Sequence, residues 1–367
     1  MTAKKAVWIL NRIQGFGVQT FKRLQSELGD IAKLGDPTAL DQLRGKSEWG
    51  AGFANRYLEL ETAGDFEREM DRCAKEGIEI LSILDSDYPK NLASVYDPPL
   101  VLYVKGTLIP EDNLAVAIVG SRNPSLYGLR TAARFSSELA ERGFTVVSGF
   151  ARGIDGEAHQ SALRAKGRTI AVLGCGLDVL YPKEHAQLYE EIAAQGALLS
   201  ELPLGTPPQS FHFPRRNRLI SGLVAGVLVV EAGRRSGSLI TARLAAEEGR
   251  EVYAVPGLID SPTSAGTNQL IQEGAKLVTG VSDILEDLAP QLQASLASII
   301  GRSALPQDDA MNDPVLKLLE NRSLSFDEIA LGLSEHPNRV RSRLTELELQ
   351  GAVRRMFGGR YARRLSV

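Results

Sequence analysis

Between about residues 114 and 278 the chain alternates short apolar runs with longer amphipathic stretches, and no other feature limits its fold so tightly. The runs are Ala115–Val119, Thr145–Val147, Thr169–Leu173, Ala197–Leu199, Val227–Val230, Glu251–Ala254 and Lys276–Val278. Runs this short and this apolar suit strands buried on both faces, and the stretches between them are long enough to return as helices. Repeated strand–helix–strand units build a parallel sheet. The segment is therefore expected to be an α/β, Rossmann-like, doubly wound and mostly parallel sheet of six or seven strands.

The flanking segments carry other patterns. From residue 4 to about 85, Trp8, Ile9, Ile13, Phe21, Leu24 and Leu28 recur at roughly helical spacing, with Gly15-Phe16-Gly17 as a break, so residues 1–90 read as a small helical domain. That break has two readings: the hairpin of a SAM-like or helix-hairpin-helix module, whose amides can hold a DNA phosphate, or a plain turn between helices. Asp97-Pro98-Pro99 excludes helix and leads into a connecting strand over Leu100–Gly106, which places the sheet domain at 91–286. Residues 287–312 lose periodicity and end in Pro306-Gln307-Asp308-Asp309, as a linker does. Helices starting at Pro314, Phe326 and Asn338, followed by a β-wing over Gly351–Tyr361, make residues 313–367 a winged-helix domain. Its arginines, Arg339, Arg341, Arg343, Arg354, Arg355, Arg360, Arg363 and Arg364, read either as a DNA-facing surface or as a solvated or protein-contacting one, with Glu346 and Glu348 partly offsetting them.

Composition narrows the class. With 367 residues, 43% of them hydrophobic, the chain can bury a large core. Its net charge of -3 excludes a uniformly basic protein, so any contact with nucleic acid must come from local cationic clusters. Cys73 and Cys175 are too few for a disulfide framework and fit a reducing compartment. The first residues lack the apolar length of a signal peptide, and the stretch Leu223–Val230 is too short to span a bilayer, so a cytoplasmic protein without membrane insertion is expected.

In an open parallel sheet, ligands bind in the loops that leave the carboxyl ends of the strands. Those loops here read Gly120-Ser121-Arg122, Ser148-Gly149-Phe150-Ala151-Arg152-Gly153-Ile154-Asp155, Gly174-Cys175-Gly176 running to Tyr181-Pro182-Lys183, Phe211-His212-Phe213-Pro214-Arg215-Arg216-Asn217-Arg218, and Gly233-Arg234-Arg235-Ser236-Gly237-Ser238. Glycines let amides approach an anion, helix starts add partial positive charge, and the Arg and Lys side chains supply contacts to phosphate. Phe150, Tyr181, Phe211 and Phe213 lie among the cations, which suits a single strand whose bases stack while its backbone follows a basic groove. Some of these arginines are expected to pair with Asp155, Asp178, Glu201 or Glu231, and Phe211 and Phe213 read equally well as core plugs.

Catalysis and cofactors are not indicated. There is no Gly-x-x-x-x-Gly-Lys-Ser/Thr loop, and Gly174-Cys175-Gly176 lacks the third glycine of a dinucleotide fingerprint. Cys175 could be a nucleophile with His159, His185 or His212 as base, but no spacing singles out a pair, and the histidines lack a metal-ligand spacing.

The same segments resemble the DprA (Smf) family of DNA-processing proteins across residues 97–278. The resemblance is carried by Asp97-Pro98-Pro99, Ile118-Val119-Gly120-Ser121-Arg122, the turn Ser148–Asp155 with Ala158-His159, Tyr181-Pro182-Lys183, Phe213–Arg218, Ser236–Leu239 and Asn268–Ala275. One position departs: Phe150 stands where the family turn has leucine. The resemblance implies a homodimeric, non-enzymatic binder that protects incoming single-stranded DNA in natural transformation and places the recombinase RecA on it, in contact with strands covered by single-strand binding protein. It assigns DNA contact to Arg122 and Lys183, with Gly120, Ser121, Arg152, Phe213, Arg216, Asn217, Arg218 and Ser238 as the surrounding site. Leu270, Ile271 and the strand Lys276–Val278 are the candidate dimer surface, with ordinary core packing as the alternative. Two other functions compete. A nucleotide phosphoribohydrolase would use a related sheet, but its Pro-Gly-Gly-x-Gly-Thr turn is replaced by Glu231–Ser238; a transcription regulator would use the winged helix to read duplex DNA.

Overall fold

A computed structural model describes residues 2–44, 50–288, 313–319, 324–333, 340, 343, 344, 347, 353–355 and 360–363. The chain divides into two compact units, residues 1–285 and 286–367.

The first unit is organised by a nine-stranded sheet. Its strands are β1 (Ile78–Ser82), β2 (Val101–Gly106), β3 (Ala115–Val119), β4 (Thr145–Ser148), β5 (Thr169–Val172), β6 (Ala197–Ser200), β7 (Gly226–Val229), β8 (Glu251–Ala254) and β9 (Lys276–Leu277). The seven apolar runs each become a strand, with ends shifted by no more than a residue. In space the order is β1-β2-β6-β5-β4-β3-β7-β8-β9. Strands β3 to β9 pair in parallel, while β1 and β2 close one edge antiparallel.

One element corrects the sequence reading. Residues 4 to about 85 were expected to be helical, yet Ile78–Ser82 is a strand in register with β2, Ile80 facing Tyr103. Its alternation buries Ile78 and Ile80 in one core cluster and Leu81 in the other, so both faces of this edge are covered.

The helices are α1 (Ala3–Asn11), α2 (Val18–Leu28), α3 (Pro37–Arg44), α4 (Gly50–Thr62), α5 (Asp65–Lys75), α6 (Lys90–Ala93), α7 (Leu126–Glu141), α8 (Ile154–Arg164), α9 (Ala186–Gln195), α10 (His212–Leu223), α11 (Ser238–Glu247) and α12 (Ala265–Gln272). The front helices share a cluster with one sheet face, where Trp8, Phe21, Leu24 and Tyr57 join Tyr103, Ala171 and Leu198. Leu219, Ile220 and Leu223 of α10 and Leu239 and Ala242 of α11 cover Val119, Val172 and Val229 on the other face. A polar link ties α5 to β2: the Tyr103 hydroxyl donates to Glu69 at 2.7 Å, and Glu69 pairs with Arg12, whose guanidinium lies 4.0 Å over the Trp8 ring. Burial raises the Tyr103 phenol far above its ordinary range, so it stays a donor.

Leu270 and Ile271, the candidate dimer residues on α12, pack against this same core, and Val278 is fully buried. That packing is the ordinary core reading for all three. Among the described residues no helix is long and apolar enough to cross a membrane.

The second unit holds α13 (Pro314–Leu318), α14 (Phe326–Leu333), helical residues at 340, 343, 344 and 347, and a small sheet of β10 (Leu324–Ser325), β11 (Val353–Arg355) and β12 (Arg360–Arg363) in the order β10-β12-β11. Asp313 caps α13, accepting from the Val315 and Leu316 amides at 2.8 and 3.2 Å, and Arg343 pairs with it at 2.6 Å. Arg360 pairs with Glu328 at 3.1 Å. Two of the tail arginines therefore engage partners inside the unit. Arg339, Arg341, Arg364 and residues 289–312 of the expected linker over 287–312 lie outside the described residues, whereas residues 287 and 288 are helical, with Leu288 buried.

His159 supplies a test of this packing. It is wholly buried between α8 and β5, with Nδ1 2.6 Å from the Thr169 hydroxyl, and that hydroxyl itself donates to the Val146 carbonyl at 2.7 Å. Nδ1 must then carry the hydrogen, which leaves Nε2 unprotonated and without a partner in its apolar surroundings. Burial pushes the imidazole down to about 3 from its ordinary 6.5. A depressed histidine favours the folded state above its unfolded value and loses that contribution as pH falls toward its folded one. Wild type should lose on the order of 2 kcal/mol of stability from this group between pH 7.5 and pH 5. Urea unfolding at both pH values should show a smaller acid loss for His159→Asn; an equal loss would mean that His159 is not held neutral.

Candidate nucleic-acid interface

Strands β3 and β7 lie side by side, and the chain leaves them in opposite directions across the sheet. At such a reversal the loops diverge and leave a crevice at the carboxyl ends of the strands. A cavity of about 810 Å³ sits there. Gly120, Ser121 and Arg122 from the loop after β3, Phe213, Arg216 and Asn217 from the start of α10, and Gly233, Arg235, Ser236, Gly237 and Ser238 from the loop after β7 form its walls. A smaller pocket of about 50 Å³ adjoins it, lined by Arg122, Phe150, Arg152, Tyr181, Pro182 and Phe213.

Close backbone approach explains two glycines. A Cβ on Gly153, where φ is +77°, would lie 2.4 Å from the Ser121 carbonyl oxygen and 2.7 Å from that of Arg122, so only glycine lets the β3 and β4 loops touch. A Cβ on Gly149 would strike Asp155 Oδ2 at 2.6 Å and the Arg216 guanidinium at 2.7 Å. These two side chains grip the Gly149 peptide from both ends. Asp155 accepts from the Gly149 amide at 3.1 Å, while Arg216 donates to the Gly149 carbonyl at 2.6 Å and to the Val172 carbonyl. Burial pushes Arg216 down to about 10, which still leaves it a cation at neutral pH, and Asp155 offsets part of that cost.

The rim of the crevice is also tied down. Glu231, at the end of β7, accepts from the Ser125 amide at 2.8 Å and hydroxyl at 2.6 Å, and from the Thr263 hydroxyl at 3.2 Å. Because Ser125 caps α7, this carboxylate sets where the loop carrying Arg122 ends.

The ten residues singled out from the sequence divide by environment. Gly120, Ser121, Arg122, Phe213, Arg216, Asn217 and Ser238 line the large cavity. Arg152 lines the small pocket and is paired with Glu184. Lys183 is exposed directly after the cis Tyr181–Pro182 bond, outside both linings. Arg218 faces elsewhere: it binds Glu201 and the Asp97 carbonyl, the latter at 2.6 Å, and so fastens α10 to the connecting segment. Asn217 donates to the Gly237 carbonyl at 3.3 Å, holding the α10 and α11 starts together. Arg122 stacks 5.4 Å over the Phe213 ring, and among the described residues Arg122, Lys183 and Arg235 have no acidic partner.

The aromatics separate in the same way. Phe150 is 1% exposed and packs edge-on against His185 and Tyr189, so it is a core residue rather than a stacking surface. Phe211 is 64% exposed, which removes the core-plug reading for it, and Tyr181 is 40% exposed with its ring 5.7 Å from Phe213. Of the expected acidic partners, Asp155 faces Arg216, Asp178 pairs with Arg72 and Glu201 with Arg218, but Glu231 serves hydroxyls. Sequence reasoning passed over Pro208, Ser210 and Thr241 of the cavity wall, which carry no charge or motif to mark them.

Arg216→Ala should destabilise the protein by about 3 kcal/mol or more, because it strands the buried Asp155 charge and two carbonyls. Adding Asp155→Asn should restore part of the loss. Urea midpoints for the single and double variants decide the matter; a loss under ~1 kcal/mol in the single variant would mean that the clamp carries no stability.

Known proteins share this architecture. A family model described as DNA recombination-mediator protein A matches residues 79–289, and one described as DprA winged helix domain matches residues 302–359. The chain is 45% identical over 276 residues to the Smf protein of Escherichia coli, covering 74% of each, and 33% identical over 398 aligned positions to that of Synechocystis, covering 99% of each. In structure it is similar to DNA processing protein A from Streptococcus pneumoniae, with a TM-score of 0.66, 39% identity, and coverage of 78% of this chain and 98% of that one. The Helicobacter pylori DNA processing protein A aligns with a TM-score of 0.53 and 32% identity, over 58% of this chain and 96% of that one. With its sheet and its C-terminal module both matched, the chain belongs to the DNA recombination-mediator protein A family, the DprA/Smf proteins.

Proposed function

We propose that this chain is a cytoplasmic, non-catalytic binder of single-stranded DNA that protects incoming strands during transformation and, as a homodimer, loads RecA on them. The observation that carries the reading is the cavity at the β3/β7 reversal, where exposed Arg122 and Arg235 meet the aromatic wall of Tyr181 and Phe213. Cations on glycine-rich loops hold phosphates, and flat rings accept any base, so the ligand is a polyanion read by backbone and stacking rather than by sequence. The Helicobacter pylori relative, whose structure concerns its binding of single-stranded DNA, supports the same ligand class.

Nothing in the cavity favours covalent chemistry. Cys175 is buried and its thiol is pushed up to about 11 by burial, which opposes the thiolate a nucleophile needs. His159, held neutral, hydrogen-bonds Thr169 rather than a reacting group.

Replacing Arg122 and Lys183 together by alanine should weaken oligonucleotide binding at every sequence by roughly tenfold or more at low salt, with a shallower dependence of affinity on salt. Fluorescence anisotropy on labelled single strands checks this, and unchanged affinity would remove these residues from the interface. Arg218→Ala, by contrast, should act on stability through Glu201.

For RecA, the expected outcome is faster strand exchange on DNA precoated with single-strand binding protein. A homodimer places two cavities on one strand, and the second contact gains from effective concentration. Wild type, the Arg122/Lys183 double variant and a monomeric variant are compared at matched concentration; equal stimulation by all three would rule out both cavity and dimer as the loading device.

A further inference from the structure

Arg152 differs from the other cations around the crevice. It lines the small pocket with Arg122, Tyr181 and Phe213, yet its guanidinium is already engaged by the Glu184 carboxylate. Arg122 and Arg235 have no such partner among the described residues, and Arg216 is buried with Asp155 beside it. Arg152 and Glu184 are both well exposed, with side chains 63% and 47% accessible, so the pair can open without disturbing the core. Glu184 follows Lys183 directly and sits in the short 3-10 turn Lys183–His185, three residues after Tyr181 of the pocket wall.

We infer that Glu184 is an affinity-setting residue of the interface: its carboxylate occupies on Arg152 the place that a strand phosphate takes in the complex, and binding exchanges one anion for the other. This rests on the single-stranded DNA reading above. The physics is a competition between two anions for one guanidinium. An exposed carboxylate–arginine pair is weak and screened by solvent, too weak to block a phosphate held by neighbouring cations but strong enough to subtract from its affinity. The same carboxylate also places a negative charge beside Lys183, where a strand would approach. The consequence is graded: a polyanion anchored at Arg122 and Lys183 can displace Glu184, whereas an anion reaching Arg152 alone competes on nearly equal terms.

The test uses the full-length protein and a labelled oligothymidylate. Glu184→Gln keeps the side-chain length and removes the charge, and it should tighten binding about threefold at low ionic strength. Glu191→Gln makes the same charge change in the groove between α8 and α9, on a carboxylate hydrogen-bonded to Gln187 rather than to an arginine, and should leave affinity unchanged. Adding Arg152→Ala to Glu184→Gln should return affinity to the wild-type level or below. In nitrogen-15 spectra, the Arg152 Nε–H signal, identified by its loss in Arg152→Ala, should move on saturation with the oligonucleotide. Four results would each overturn the inference: no tightening by Glu184→Gln, equal tightening by Glu191→Gln, a double variant as tight as Glu184→Gln alone, or a stationary Nε–H signal. Should wild type not bind the oligonucleotide at all, the interface reading falls with it; wild-type binding with any of those four results removes only the role of Glu184.

Discussion

A parallel sheet has no face that it can leave to water, because its crossover helices must lie on both sides. Here that constraint is met on one face by α8 and α9, through Leu163, Leu188 and Ile192, with the front helices extending the cover over β1 and β2, and on the other face by α10 and α11, through Leu219, Ile220 and Leu239. With both faces filled, the places left open to a ligand are the loops at the strand ends. The order β4-β3-β7 then puts the widest divergence of those loops between β3 and β7. The cavity is thus a result of chain routing, and the Gly120-Ser121-Arg122 turn occupies it because it follows the strand at the reversal.

Around the cavity, charge is sorted by burial and pairing. Arg216 is buried and used up on the Gly149 and Val172 carbonyls and the Asp155 charge, so it shapes the loop. Arg218 is spent on Glu201 and Asp97 and braces α10 from behind. Arg122 and Arg235, exposed on the walls, form no salt bridge among the described residues. The division follows from desolvation: a cation taken out of water must be paired and hydrogen-bonded where it sits, so it has little left to offer a second partner. The proposed interface therefore depends on buried cations for its shape and on exposed ones for its contacts. Arg152 stands between these classes, exposed but paired.

The fold was legible in the sequence to the extent that burial leaves a local mark. Strands covered on both faces must be continuous apolar runs, which is why Ala115–Val119 could be delimited to the residue. Strand β1 was not, because Ile78-Glu79-Ile80-Leu81 is a short run inside a helical context and its identity comes from pairing with β2, some twenty residues on. The cavity loops were legible for a similar reason: strand ends locate them, and glycines beside cations mark them.

Roles within those loops were not legible. In Phe213-Pro214-Arg215-Arg216-Asn217-Arg218 the arginines look alike, but helical geometry turns Arg216 toward Gly149 and Arg218 toward Glu201, and those acceptors come from distant parts of the chain. Phe150 and Phe213 likewise look equivalent, yet the first is driven into the core against Tyr189 while the second faces Arg122. The sequence by itself determined the parallel sheet, its strand limits and the loops that meet at its carboxyl ends, because burial and routing are written as local apolar and glycine patterns. Only the tertiary structure decided which charges are spent inside the protein and which stay available, because pairing and desolvation depend on neighbours that the chain order does not bring together.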